Sequence, residues 1–179
     1  MIVRRSLATI ALGAMLGSVL LRADDMSVNF DPDVDFSAFK TFKMREGVIQ
    51  SPRPELDNSL FVKILERTIE RTLMARGMTE AGNLPDLFVD FRITSEDVST
   101  TRSGTSLIGI NGLPVRGTSS GPQPVRYTSA TLVIDLIRPG DPVPIWRGVY
   151  RDDEGTGSKL VKKLPEDAKK LFAKYPPKK

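Results

Sequence analysis

The sequence predicts an α+β domain: an antiparallel β-sheet of about five strands with two helices packed on one face, in the order β-β-α-β-β-β-α. Three observations predict it. PDLFVDFRIT, from Pro85, alternates apolar and polar residues with period two, so one face of a sheet is covered and the other is wet. Between Leu60 and Leu73 the apolar residues recur at helical spacing. The last stretch repeats that spacing, with Leu164, Ala168, Leu171, Phe172 and Tyr175 on one helical face. Strands on both sides of one helix, with a second helix closing the chain, are simplest to pack as a sheet with both helices on its covered face.

The first element is not part of that fold. Arg4 and Arg5 precede an apolar run from Leu7 to Leu21, and small Ala23 stands before Asp24 and Asp25. This is the pattern of a secretory signal peptide over residues 1–23, with cleavage between Ala23 and Asp24. The apolar run makes a helix about 22 Å long, short of a bilayer core about 30 Å thick. An uncleaved N-terminal anchor is the alternative. The expectation is an exported, periplasmic protein that is soluble after cleavage, with residues 24–179 forming a single domain.

Within that domain, Met26–Phe30 alternates as a short strand, and DPDVDFSAF is a turn in which Asp and Pro make local backbone bonds and fix φ. FKTFKM, 39–44, alternates again, and the two strands are expected to pair as a hairpin or meander. SPRPELDNS then supplies prolines and N-cap residues before the first helix. Leu60, Phe61, Ile64, Leu65, Ile69 and Leu73 are expected on its core side, and Gly77 is a left-handed residue just past its end. In the strand from Pro85, Leu87, Val89, Phe91 and Ile93 share the covered face, leaving Phe88, Asp90, Arg92 and Thr94 outside. RYTSATLVIDLI forms the next strand, with Leu132, Ile134 and Leu136 inward and Val133 and Asp135 outward. RPGDPVP is a loop and IWRGVYRD its hairpin partner. In the final helix Pro165 suits the first turn, Glu166 and Asp167 complement the positive N-terminus, and Pro176 ends the element.

Composition excludes whole classes of chemistry. The chain has neither cysteine nor histidine, which removes disulfides, thiol catalysis, Cys or His zinc sites and Ser–His–Asp triads. The net charge of +4 falls to +1 once the three arginines of residues 1–23 are gone. What remains is polarised: residues 159–179 hold eight lysines against Glu166 and Asp167. Such an end allows peripheral contact with a membrane or another anionic surface, although a solvated helix face is the simpler reading. Nucleic acid is not expected as a partner, since the chain carries no interleaved aromatic stripe.

Residues 103–124, SGTSLIGINGLPVRGTSSGPQP, place glycines at 104, 109, 112, 117 and 121. These match neither phosphate-loop pattern, and the segment runs into a strand rather than a helix. It is read as a flexible Gly/Ser/Pro-rich connector. Asp152-Asp153-Glu154 before Gly155 lacks the spacing of a calcium loop. Trp146 is expected to fill the core against a helix, with Gly148 beside it where another group needs close approach. The remaining constellation is the outward sheet face, which gathers Asp90, Arg92, Asp135 and Arg147. Cross-strand charge pairing is the simpler reading of that cluster. Two carboxylates on neighbouring strands are also the raw material of acid–base catalysis.

Six segments in this order resemble a known family: DFSAFKTF (35–42), MARGM (74–78), PDLFVDFRI (85–93), TLVIDLI (131–137), IWRGV (145–149) and KKLFAKYPP (169–177). Together they resemble the bacterial envelope domain of unknown function 4136, over nearly the whole of residues 24–179. The resemblance implies a small α+β domain, export, often as a lipoprotein, and a variable glycine-rich stretch between the middle strands. It implies no activity, so it assigns no catalytic residue and no cofactor. Ala23 stands where a lipoprotein of the family would carry its acylated cysteine.

The functional expectation is a non-enzymatic module of the cell envelope, binding an envelope protein, the wall polymer or a small ligand. The alternative is a carboxylate-dependent hydrolase built on Asp90 and Asp135.

Overall fold

A computed structural model describes residues 25–104, 107–110, 113–116 and 120–177. The expected signal segment 1–23 and its cleavage point at Ala23 and Asp24 lie outside the described residues. The elements run β1 (Asp25–Phe30), a short 3-10 turn (Phe36–Ala38), β2 (Thr41–Met44), β3 (Val48–Gln50), α1 (Ser59–Met74), β4 (Thr79–Glu80) and β5 (Leu87–Gly104). They continue with β6 (Leu107–Ile110), β7 (Leu113–Arg116), β8 (Ser120–Ile137), β9 (Pro144–Gly155) and α2 (Gly157–Phe172).

The α+β class and the two helices are as expected, but the sheet is not a five-stranded antiparallel one. It has seven strands in the order β1-β9-β8-β5-β2-β4, and β3 continues along β5 beyond β2. The pairs β1–β9, β9–β8 and β8–β5 are antiparallel, whereas β2 and β3 both run parallel to β5. The reason lies in the connection: β2 and β5 are joined through α1, and a crossover through a helix returns the chain in the same direction. The expected pairing of the first two strands is also corrected, since β1 and β2 lie on opposite sides of the sheet. Between them Val34 and Phe36 are buried, and Phe36 meets Phe30, Phe39 and Tyr175 edge-on at about 6 Å. Burying those groups is worth more than closing a tight hairpin.

Residues 103–124 contain the ends of β5 and β8 and the two-stranded hairpin β6–β7, paired from Leu107↔Arg116 to Ile110↔Leu113. β5 and β8 pair along nearly their whole length, from Phe88↔Ile137 to Gly104↔Ser120. Their neighbours stop earlier, β3 at Thr94 and β9 opposite Thr128. Beyond those points the two strands continue as a ribbon.

Asn58 caps α1, its side-chain oxygen accepting from the Phe61 N–H at 2.8 Å. Gly77, at φ +85°, turns the chain at the other end so that the Met78 N–H reaches the Leu73 carbonyl. Phe61, Leu65, Ile69 and Leu73 form the buried stripe, while Leu60 and Ile64, expected in the core, are exposed. The stripe is a single i, i+4 row, and Leu60 and Ile64 fall on the far side of it. α2 begins at Gly157 rather than near Pro165, because Leu160 and Leu164 already belong to the core and hold the first two turns down. Pro165 therefore sits mid-helix and forfeits one backbone bond.

The two helices pack on each other and share one core with the covered side of the sheet. Its centre is aromatic. Trp146 is fully buried and stacks on Phe172 at 5.2 Å and 10°, with Tyr175 edge-on to both. Every residue of this core lies between Val34 and Tyr175.

The charged face of the sheet

Alternation along the strands sends every second side chain away from the helices. Register then decides which of them meet: Asp90 lies opposite Asp135, and Asp135 lies opposite Arg147. The structure brings these three expected residues into one row. Arg147 grips Asp135 with two parallel bonds, Nε to Oδ1 at 2.6 Å and Nη2 to Oδ2 at 2.7 Å. That grip raises the Arg147 pKa further above its already high value.

Asp90 is held differently. Its partner is Arg45, whose Nε lies 2.6 Å from Oδ1 and whose guanidinium stacks 4.8 Å from the centre of the Phe88 ring. Partial burial pushes the Asp90 carboxyl up, Arg45 opposes that shift, and the facing Asp135 adds to it. Arg45 escaped the sequence reading because it follows a short strand whose neighbour is set by a parallel crossover. Arg92, in the same cluster, makes no ion pair or hydrogen bond among the described residues.

These side chains ring a shallow cleft of about 190 Å³, completed by Glu46, Val48, Phe91 and Val133. A second hollow of about 230 Å³ lies farther along the sheet between Glu96, Thr131 and Arg151. Both are smaller than the roughly 300–1,000 Å³ typical of small-molecule sites. The cleft sits beside the junction of β2 and β3. There a Cβ on Gly47 would fall inside the Phe91 ring, so only glycine lets that ring close the core edge.

On the covered side a polar network joins α2 to β9. Lys163 Nζ contacts Asp152 Oδ2 at 2.8 Å, and Lys170 Nζ contacts Asp167 Oδ1 at 2.7 Å, with Asp167 fully buried. Burial pushes the Tyr150 hydroxyl well above its ordinary range, and burial likewise pushes Tyr175 up to about 12. A signal for this network existed in the sequence. Trp146, Gly148, Tyr150 and Asp152 share one parity on the strand, so an acid on the covered face requires a cation from the helix above it. Asp152 thus serves the helix contact within the acidic run Asp152-Asp153-Glu154.

Residues 26–177 match the family model of a domain of unknown function, DUF4136. The chain belongs to the DUF4136 family. Among solved structures, this DUF4136 chain is similar to a DUF4136 family protein from Bacteroides thetaiotaomicron VPI-5482. The two are 15% identical with a TM-score of 0.52, over 86% of this chain and 96% of that one. It is also similar to a PDZ domain protein from Parabacteroides distasonis ATCC 8503, at 14% identity and a TM-score of 0.55. That likeness covers 87% of this chain but only 36% of the other, so the chain spans about a third of that protein. At such identities the likeness is one of fold. No curated protein matches the chain.

Proposed function

We propose that this DUF4136 chain is an exported, non-enzymatic binding module of the cell envelope, which meets a macromolecular partner with the uncovered face of its sheet. One observation carries the reading: Asp90 and Asp135 are committed to Arg45 and Arg147 at 2.6–2.7 Å, while Arg92 beside them makes no ion pair or hydrogen bond among the described residues and acts on Asp90 only through space. The Asp135 carboxylate has both oxygens engaged by one guanidinium, and the exposed Arg92 guanidinium beside apolar Val48 and Val133 is a good anchor for an acidic group. Export rests on Arg4, Arg5 and the apolar run that follows them. Envelope protein, wall polymer and small ligand remain the candidate partners, and the shallowness of the cleft favours the first two.

The test is retention of envelope components on immobilised protein beginning at Asp24, compared with an Arg92→Glu variant and with a Lys40→Glu control at the exposed turn before β2. The reading expects a component held by wild type and by the control but released by Arg92→Glu. Equal retention by all three proteins overturns the assignment to this face. A single observation favours the hydrolase reading: the Asp90 carboxyl is pushed up and faces a second carboxylate across the strand pair. Turnover of an envelope substrate that Asp90→Asn and Asp135→Asn both abolish would establish hydrolysis in place of simple binding.

A further inference from the structure

We infer that the outward surface of the helix layer is a docking face for anionic lipid headgroups, a site on the opposite side of the molecule from the charged sheet face. The ridge of α1 farthest from the core is formed by Leu60, Lys63, Ile64, Arg67, Arg71 and Met74, at helical spacing. Leu60 is 67% exposed, Ile64 42% and Met74 46%, an apolar set that a helix facing only water has no reason to carry. Lys63, Arg67 and Arg71 lie among them, exposed and without an ion pair among the described residues.

No carboxylate stands on that ridge. Glu66 and Glu70 are half-buried on its flank, where Glu70 partly offsets the charge of Arg67 and Arg71. Beside α1, the outer side of α2 adds Lys159 and Lys162, also exposed and unpaired, and Lys169, which bonds Glu166. On the sheet face, by contrast, Arg45 and Arg147 are each paired with a carboxylate.

Charge decides the class of occupant and shape decides the occupant. A ridge whose cations outnumber the carboxylates on its flank favours a polyanion, and apolar side chains between its cations need a surface that also accepts hydrocarbon. Leu60 and Met74 are about 21 Å apart along one straight helix, which suits a plane touched tangentially rather than a pocketed protein. A bilayer with acidic headgroups meets both demands: cations at the phosphates, and Leu60, Ile64 and Met74 at the acyl boundary.

The protein from Asp24 to Lys179, which holds every core residue among the described ones and omits the N-terminal apolar run, is tested by sedimentation with vesicles. One set is phosphatidylcholine alone and the other contains phosphatidylglycerol. Binding to the second set is expected at low salt, with little to the first. Each basic residue at such a surface contributes about fivefold, so Lys63→Glu with Arg67→Glu is expected to weaken binding at least about tenfold. Leu60→Ser with Met74→Ser is expected to weaken it several-fold and to make what remains more sensitive to salt. All four positions are exposed, and circular dichroism confirms that the variants stay folded. Absence of binding to the phosphatidylglycerol vesicles overturns the inference. So does binding that the charge variant leaves intact. If the apolar variant binds as wild type does, or if an acidic envelope protein is captured at this ridge while vesicles are not, the lipid assignment is likewise overturned.

Discussion

A methyl group added at Gly148 tests the centre of the core. A Cβ there would stand 2.7 Å from Trp146 Cη2, 3.1 Å from Trp146 Cζ3 and 3.3 Å from Leu171 Cδ2. Carbon atoms pack best at about 3.5–4.0 Å, so the indole would have to retreat by most of an ångström. It has nowhere to go. Phe172 is stacked on one face at 5.2 Å and Tyr175 stands edge-on at 6.0 Å. Overpacking of this kind costs about 1–3 kcal/mol, and Gly→Ala in an unstrained strand would instead return about 0.4–1 kcal/mol through the unfolded state. The expected outcome for Gly148→Ala is therefore a net loss of about 1–2 kcal/mol. For a domain of this size that lowers the melting temperature by roughly 2–8 °C. Urea denaturation followed by far-ultraviolet circular dichroism, a signal that does not depend on Trp146, measures it. In the double variant with Trp146→Leu the penalty of the added methyl should disappear, a coupling of about 1 kcal/mol or more. If Gly148→Ala is as stable as wild type, or if its cost persists without the indole, the close approach is not what demands glycine at this position.

Asp86 accepts the Lys40 and Thr41 N–H groups at 2.8 Å each and donates its own N–H to the Thr41 hydroxyl oxygen at 2.9 Å, which pins the start of β2 to the start of β5. Those bonds hold its pKa below the ordinary value. A lowered carboxyl contributes stability that is present above its unfolded pKa, about 3.9, and is lost as pH falls through the folded value. Asp86→Ala should cost about 1–2 kcal/mol at neutral pH and less at the acid end; a cost that is the same across that range would refute the assignment. Asp90 has the opposite sign. Its raised pKa means that its contribution is present below about pH 3.9 and declines as pH rises through the folded value. At pH 7, Asp90→Asn should therefore be nearly neutral, whereas Asp135→Asn should cost about 0.5–1 kcal/mol through the loss of its bidentate arginine. The reverse order in a denaturant series would show that Arg45 outweighs burial at Asp90.

What could be read from the sequence alone is whatever is written at short range. Periods of 2 and 3.6 identified β5, β8, β9 and both helices, and strand parity placed Leu87, Val89, Phe91 and Ile93 inside with Asp90 and Asp135 outside. The β8–β9 hairpin followed from a short loop, and the burial of Trp146 from its strand. The pairing of Asp135 with Arg147 became plausible once those two strands were neighbours. The absence of cysteine and histidine narrowed the range of chemistries without any fold at all.

Tertiary structure decided the rest, because pairing between distant strands has no local signature. β2, β3 and β4 are two to four residues long, too short for periodicity to declare their partners, and it is the crossover through α1 that lays β2 and β3 parallel to β5. That placement alone carries Arg45 to Asp90. The side of α1 that faces water was likewise settled by packing: Leu60 and Ile64 are as apolar as Leu65, and only the position of the sheet and of α2 leaves them outside. A side chain's chemistry is fixed by its type, but its neighbours are fixed by contacts made across the whole chain, and in this protein those contacts assembled both candidate surfaces.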